Sequence, residues 1–199
     1  MLKYISYLFS YRFFNRFNIL ISKLASISIS RDFNSAATIP KLQYPFRIEG
    51  FQNISIGKNF AAGKNLRLQA ISKYGGEIFS PSIIIGDNVT INPNCQIVAI
   101  NNVTIGNDVL IASYVFISDH VHGELDYSDL NIKPSDRKLC SKGPVIISDG
   151  VWIGQGVSIL ANIRIGKNVI IGANSVVTKD IPDNAIAVGI PAKIIKYTE

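Results

Sequence analysis

The chain contains two histidines, His120 and His122, in the run Ser118-Asp119-His120-Val121-His122-Gly123-Glu124-Leu125. An imidazole near its ordinary pKa can take a proton from a hydroxyl and return one to a leaving group. One ring can therefore be both base and acid in a group transfer. Asp119, Glu124 and Asp126 are the carboxylates near enough in sequence to orient His120, and a backbone carbonyl could do so instead. Direct transfer needs no protein nucleophile; Ser118 is close by but is not required. A catalytic zinc usually takes three protein ligands, and two histidines with no Cys pair at metal spacing predict no metal. Other residues whose types suit a site are Asn92 in Asn92-Pro93-Asn94-Cys95, and Trp152, which is the lone tryptophan. Lys179, Lys193 and Lys196 form a basic group in the last repeats.

Something rigid must hold these residues, and the periodicity says what. From Ile147 an aliphatic residue recurs at every sixth position through Ile153, Ile159, Ile165, Ile171 and Val177. Upstream the register returns in Ile105, Ile111, Ile117 and in Ile85, Ile91, Ile97, and more weakly in Ile56, Ala62, Leu68. Six is neither the period of a helix nor that of an ordinary strand. It fits a short strand plus a turn. Three such units close a triangular coil, and the aliphatic side chains stack inside from coil to coil. Gly and Asn between them supply tight corners. Two segments break the register. Residues 69–84 read as a bulged or inserted coil. Residues 123–146, polar and carrying Pro134 and Pro144, read as one long loop extruded beside the histidines.

Over roughly residues 48–196 the chain resembles the hexapeptide-repeat acyltransferases. The resemblance implies an all-β fold, a left-handed parallel β-helix, and the handedness rests on it alone. The stretch around His120 is similar to the catalytic segment of the galactoside and maltose acetyltransferase branch and its polysaccharide-modifying relatives. That places His120 as the general base of acetyl transfer from acetyl-CoA to a sugar hydroxyl. By the same resemblance Asn92, Asp119, His122 and Trp152 meet the acceptor, His122 in either a substrate-contacting or a structural role. Residues 171–182 and 188–193 are similar to the family's terminal motifs. They imply CoA contacts from Ala173 and Thr178, with Lys179, Lys193 and Lys196 at the phosphates; the resemblance at their own positions implies CoA contacts from Trp152 and Gln155 as well. Gln155 departs from the galactoside branch, which has a small hydroxyl residue there, and lysine replaces the common arginine at the last two positions. The family also implies a homotrimer with sites between subunits. A sugar N-acetyltransferase, a xenobiotic acetyltransferase and a non-enzymatic scaffold are the alternatives.

Residues 1–35 form a separate N-terminal helical segment ahead of the β-helix domain, 36–199. Ile5, Phe9, Phe13, Phe17, Leu20, Ile21 and Leu24 share one face of a helix over residues 2–24, with Arg12, Arg16 and Lys23 along an edge. Those cations argue against a signal peptide and a membrane span. They suit either a helix lying on an anionic membrane or a cap on the solenoid's open end. The formal net charge of +6 suits anionic ligands, CoA phosphates among them. No nucleic-acid partner is expected. Two cysteines, Cys95 and Cys140, form no disulfide framework and fit a reduced, cytoplasmic setting, peripheral to the membrane if the helix binds it.

Overall fold

The computed structural model describes residues 10–124 and 127–198. Each coil contributes one short strand to each of three parallel sheets, the faces of a triangular prism. The first face stacks Ser35–Ala36, Ile54–Ile56, Ser82–Ile85, Asn102–Ile105, Val145–Ile147 and Ile163–Ile165. The second carries, in the same order of coils, Lys41–Leu42, Ala61–Ala62, Thr90–Ile91, Leu110–Ile111, Trp152–Ile153, Ile170–Ile171 and Ala185–Val188. The third runs from Arg47–Glu49 through Arg67–Ala70, Gln96–Ala99, Phe116–Ser118 and Ser158–Ile159 to Val176–Val177. The solenoid therefore starts at Ser35, beside the expected domain start at 36, and residue 48, where the family resemblance begins, lies on the third face of this same first coil.

The six-residue register is the core. Ile147, Ile153, Ile159, Ile165, Ile171 and Val177 are all buried and stack over Ile105, Ile111 and Ile117. Burying one such side chain stabilises by about 1.5–3 kcal/mol. Ser175 breaks the aliphatic pattern without cost, because its buried hydroxyl donates to the Gly172 carbonyl (2.7 Å) and accepts from the Gly189 amide (3.0 Å). Corners are turned by left-handed residues, mostly Asn. Their amides also form ladders: Asn59 donates to Asn88 and Asn88 to Asp108, each at 2.9 Å. Asn tolerates positive φ, and its side chain bonds the same corner of the next coil.

The N-terminal helix, α1 (Tyr11–Ile29), is capped by Ser10. Of the expected span 2–24, residues 11–24 lie in this helix, which continues to Ile29; Ile5 and Phe9 lie outside the described residues. The helix docks through serines and not through its aromatics. Ser26 Oγ accepts the Leu42 amide at 3.1 Å, and Ser22 Oγ accepts the Tyr44 amide at 3.0 Å. Those amides sit along the open ladder edge of the solenoid, so α1 covers a strand edge that would otherwise template association. Phe13, Phe14, Phe17, Leu20 and Leu24 remain exposed. No helix among the described residues is long and apolar enough to cross a membrane.

Both interruptions leave the same corner, between the third and first faces. The first is a small antiparallel hairpin, Lys73–Tyr74 with Glu77–Ile78, tighter than the inserted coil expected over 69–84. The second runs from 119 to 144. Its base is a hairpin of Val121–His122 with Leu139–Cys140, and the loop is thus tethered at its root. Tyr74 Oη donates to the Ser135 carbonyl (2.8 Å), and Lys138 pairs with Glu77 (2.8 Å), so the two insertions brace each other.

Candidate active site

Phe116–Ser118 ends the third face of the fourth coil, and the chain then turns outward. Asp119, fully buried, faces the solenoid. Its Oδ1 accepts the Ile100 amide at 3.0 Å and its Oδ2 the Asn101 amide at 2.8 Å, the two amides turning the corner one coil below. Oδ1 also lies 2.8 Å from His120 Nδ1. An ionised carboxylate only accepts, so Nδ1 carries the proton and Nε2 is left as the basic nitrogen. Of the orienting groups named from the sequence, Asp119 is the one at the ring. Glu124 is exposed, its amide donating to Asp129 (2.6 Å), and Asp126 lies outside the described residues.

Ser118 completes the mounting. Its hydroxyl donates to the His120 carbonyl (2.9 Å) and accepts from the His120 amide (3.3 Å). Its oxygen also lies 3.3 Å from His120 Nδ1, so Ser118 ties both the backbone and the ring of His120.

His120 opens on a cleft of about 260 Å³. The floor is the outer face of the third sheet: Arg67, Gln96, Val98, Phe116 and Ser118. Tyr74 and Ile71 of the first insertion and His122 and Leu139 of the second form the walls. His122 packs edge-on against Tyr74, centroids 5.4 Å apart, and so belongs to both the wall and the brace. Its register opposite Leu139 turns it into the same cleft as His120. Sequence reasoning missed Arg67, Gln96 and Tyr74. They lie far from His120 along the chain, and nothing local marks them.

The remaining residues lie elsewhere on this chain. Gln155 and Ala173 stack in one column at the corner between the second and third faces, where the Asn174 amide donates to the Gln155 carbonyl (2.7 Å); Asn92 lies at the same corner but one position earlier, in line with Gly154 and Gly172. Trp152 stands beside that column on the second face, half exposed, between Leu110 and Ile170. Thr178 and Lys179 follow Val176–Val177, on the corner that His120 leaves from, two coils on. Lys193 and Lys196 sit on Lys193–Tyr197, which closes the second face antiparallel to Ala185–Val188. The predicted site is thus split between two edges of the prism, either side of the third face. A larger groove, about 760 Å³, runs between α1 and the second face; Asn92 borders it, but the histidines do not. Among the described residues no three His, Cys, Asp or Glu side chains converge as a metal site would require.

Comparison with known proteins gives this geometry a context. Residues 144–179 match the bacterial transferase hexapeptide family (six repeats). The chain is 44% identical to WbbJ of Escherichia coli K12, provisionally named a lipopolysaccharide biosynthesis O-acetyl transferase, over 78% of this chain and 77% of WbbJ. It is 39% identical to the galactoside O-acetyltransferase of the same strain, over 59% of this chain and 54% of that enzyme. Among solved structures, the hexapeptide-repeat acetyltransferase VCA0836 of Vibrio cholerae, complexed with acetyl coenzyme A, superposes with a TM-score of 0.59. It is 25% identical, over 85% of this chain and 74% of that one. AntD, an N-acyltransferase of Bacillus cereus, shares the fold at a TM-score of 0.70 and 21% identity, over 88% of each chain. With its three-faced parallel solenoid and a histidine mounted on one corner, the chain belongs to the hexapeptide-repeat transferases, has their left-handed β-helix, and is an acetyltransferase.

Proposed function

We propose that the chain moves an acetyl group from acetyl-CoA to a sugar hydroxyl of a bacterial surface polysaccharide, or of its precursor, with His120 as general base. The observation that carries this reading is the Asp119–His120 pair at the lining of the cleft, in which Asp119 occupies Nδ1 and leaves Nε2 as the ring's free nitrogen. As the acceptor oxygen attacks the thioester carbonyl, Nε2 takes its proton. The tetrahedral adduct then collapses, the C–S bond breaks, and the imidazolium returns the proton to the CoA sulfur. No acyl-enzyme intervenes. The similarity to WbbJ supports a lipopolysaccharide-type acceptor.

The split site supports a threefold assembly. One subunit offers the His120 edge; its neighbour offers the corner that carries Asn92, Gln155 and Ala173, with Trp152 beside it. The cleft between them holds the pantetheine arm, with Thr178 along it and Lys179, Lys193 and Lys196 at the phosphates. The exposed aromatics of α1, flanked by Arg12, Arg16 and Lys23, suit contact with an anionic membrane where lipid-linked sugars are built.

The test is thiol release from acetyl-CoA with a panel of surface-polysaccharide repeat units, for the wild type and His120→Ala. Acceptor-driven release that His120→Ala abolishes, with CoA still bound, supports the reading. Equal activity in the two proteins would falsify the role of His120.

A further inference from the structure

We infer that Arg67 is an acceptor-anchoring residue, and that the acceptor carries an anionic group, a carboxylate or a phosphate, about one sugar length from the hydroxyl that is acetylated. The inference rests on the reading of the cleft as the acceptor site.

Arg67 lies on the floor of the cleft, half-buried, with its guanidinium held by neutral groups. Its Nε donates to Gln69 Oε1 and its Nη1 reaches Gln96 Oε1 at 3.5 Å. Gln69, nearly inaccessible on the outer face of the sheet, is fixed in turn: its Nε2 donates to Glu49 Oε2 at 2.5 Å. Glu49 is the nearest carboxylate in this chain of contacts, and its charge is taken up by Arg47, 2.6 Å away. The hydrogen bond from Arg47 also holds the Glu49 carboxyl below the usual carboxylate range. Arg67 also feels the Glu49 charge, but it stacks on Arg47, to which Glu49 is hydrogen-bonded; two guanidiniums share one carboxylate, and a net positive charge remains at the cleft.

The rest of the lining sharpens this. Among the described residues that line the cleft there is no Asp or Glu. Asp119 lies behind His120, with both oxygens turned to backbone amides and the ring. A half-buried guanidinium facing a concave surface without acids is poised for a planar or tetrahedral oxyanion, which it can meet with two parallel N–H groups.

Position distinguishes the acceptor from the donor. Arg67 pairs across Gln96 with Phe116, so it lies two coils, about 10 Å, from the strand that leads to His120. The lysines assigned to the CoA phosphates lie on the opposite side of His120, in the last coils. An anion at Arg67 is then not a CoA phosphate but belongs to the second substrate.

The probes are methyl β-glucuronide, galactose 1-phosphate and neutral methyl β-galactoside. Binding is read by saturation-transfer NMR and acetylation by thiol release, for the wild type, Arg67→Gln and Arg67→Lys, with melting curves to verify folding. At least one charged probe should bind the wild type better than the neutral one, the carboxylate and phosphate arms saying which oxyanion the site takes. Arg67→Gln should erase that preference, lowering kcat/KM for the charged acceptor about 10–100-fold, mainly through KM. KM for acetyl-CoA should stay unchanged. Arg67→Lys should restore part of the effect as a point charge. Equal or undetectable binding of charged and neutral probes, or a preference that survives Arg67→Gln, overturns the inference. If a neutral acceptor is acetylated in a His120-dependent way regardless of Arg67, the transfer reading stands and this one falls. If charged probes bind through Arg67 but none is acetylated, the anion site stands and the transfer reading falls.

Discussion

Asp119 and His120 are adjacent in the chain, yet their side chains meet at 2.8 Å, with Asp119 also tied to the amides of Ile100 and Asn101 one coil below. Neighbouring residues on a strand point to opposite faces. Here the chain leaves the sheet after Ser118, and the turn folds the ring back over the carboxylate. The imidazole is thus fastened to the rigid solenoid, while the loop it begins is not part of the coil.

Removing either partner should separate two effects. His120→Ala should lower kcat by ~10²–10⁴, the usual share of a general base. Asp119→Asn should lower kcat by about tenfold or more within that same range, because an amide cannot accept from both backbone amides and fix the Nδ1–H tautomer. Steady-state kinetics with a fixed acceptor measures both, and an Asp119→Asn enzyme of wild-type kcat would refute the orienting role.

The brace between the insertions predicts a milder change. Tyr74→Phe keeps the ring against His122 and loses the bond to Ser135, and it should cost about 0.5–1.5 kcal/mol at most. Tyr74→Ala also removes a cleft wall. Acceptor KM should rise more in Tyr74→Ala than in Tyr74→Phe, with acetyl-CoA KM unmoved in both.

Core positions predict stability alone. Ile153 is wholly buried between Ile111 and Ile171. Ile153→Ala should destabilise by about 2–5 kcal/mol, as residual cavities in cores do. Denaturant unfolding gives the value; a loss below about 1 kcal/mol would mean that the coils collapse around the gap.

The thiols make a pH prediction. Burial raises the Cys95 thiol above its ordinary value of 9.0, and desolvation also raises the half-buried Cys140. A group whose folded pKa is raised stabilises fully below its unfolded pKa, and that contribution fades as pH climbs toward the folded value. Stability should therefore fall above about pH 9, and Cys95→Ala should flatten that alkaline slope whatever its effect at neutral pH. At pH 8, iodoacetamide should modify Cys140 well before Cys95, as peptide mapping would show.

The helix prediction is a binding one. Vesicles with anionic lipid should co-sediment the protein, and Phe13→Ser with Phe17→Ser should release it. Sedimentation that is equally weak with neutral and anionic vesicles would leave α1 as an edge cap only, a role its Ser22 and Ser26 contacts already fill.

How far the sequence reached depended on whether the information was local. The inward register from Ile147 to Val177 was legible because each coil repeats the same short strand and turn, and one six-residue period dictates the whole stack. The position of His120 at the root of the long loop was legible because two histidines stand together where that period breaks. The exposed placement of Trp152 followed from its position next to Ile153 in a strand. The choice among Asp119, Glu124 and Asp126 was not legible, because it turned on which carboxylate the amides of the previous coil could hold. Nor was the docking face of α1, where serines replaced the aromatics at the contact. Arg67, Gln96 and Tyr74 were invisible for a different reason. Coil stacking converts separations of 20 to 50 residues into neighbouring strands, and only that stacking placed a half-buried guanidinium on the floor of the cleft that His120 faces.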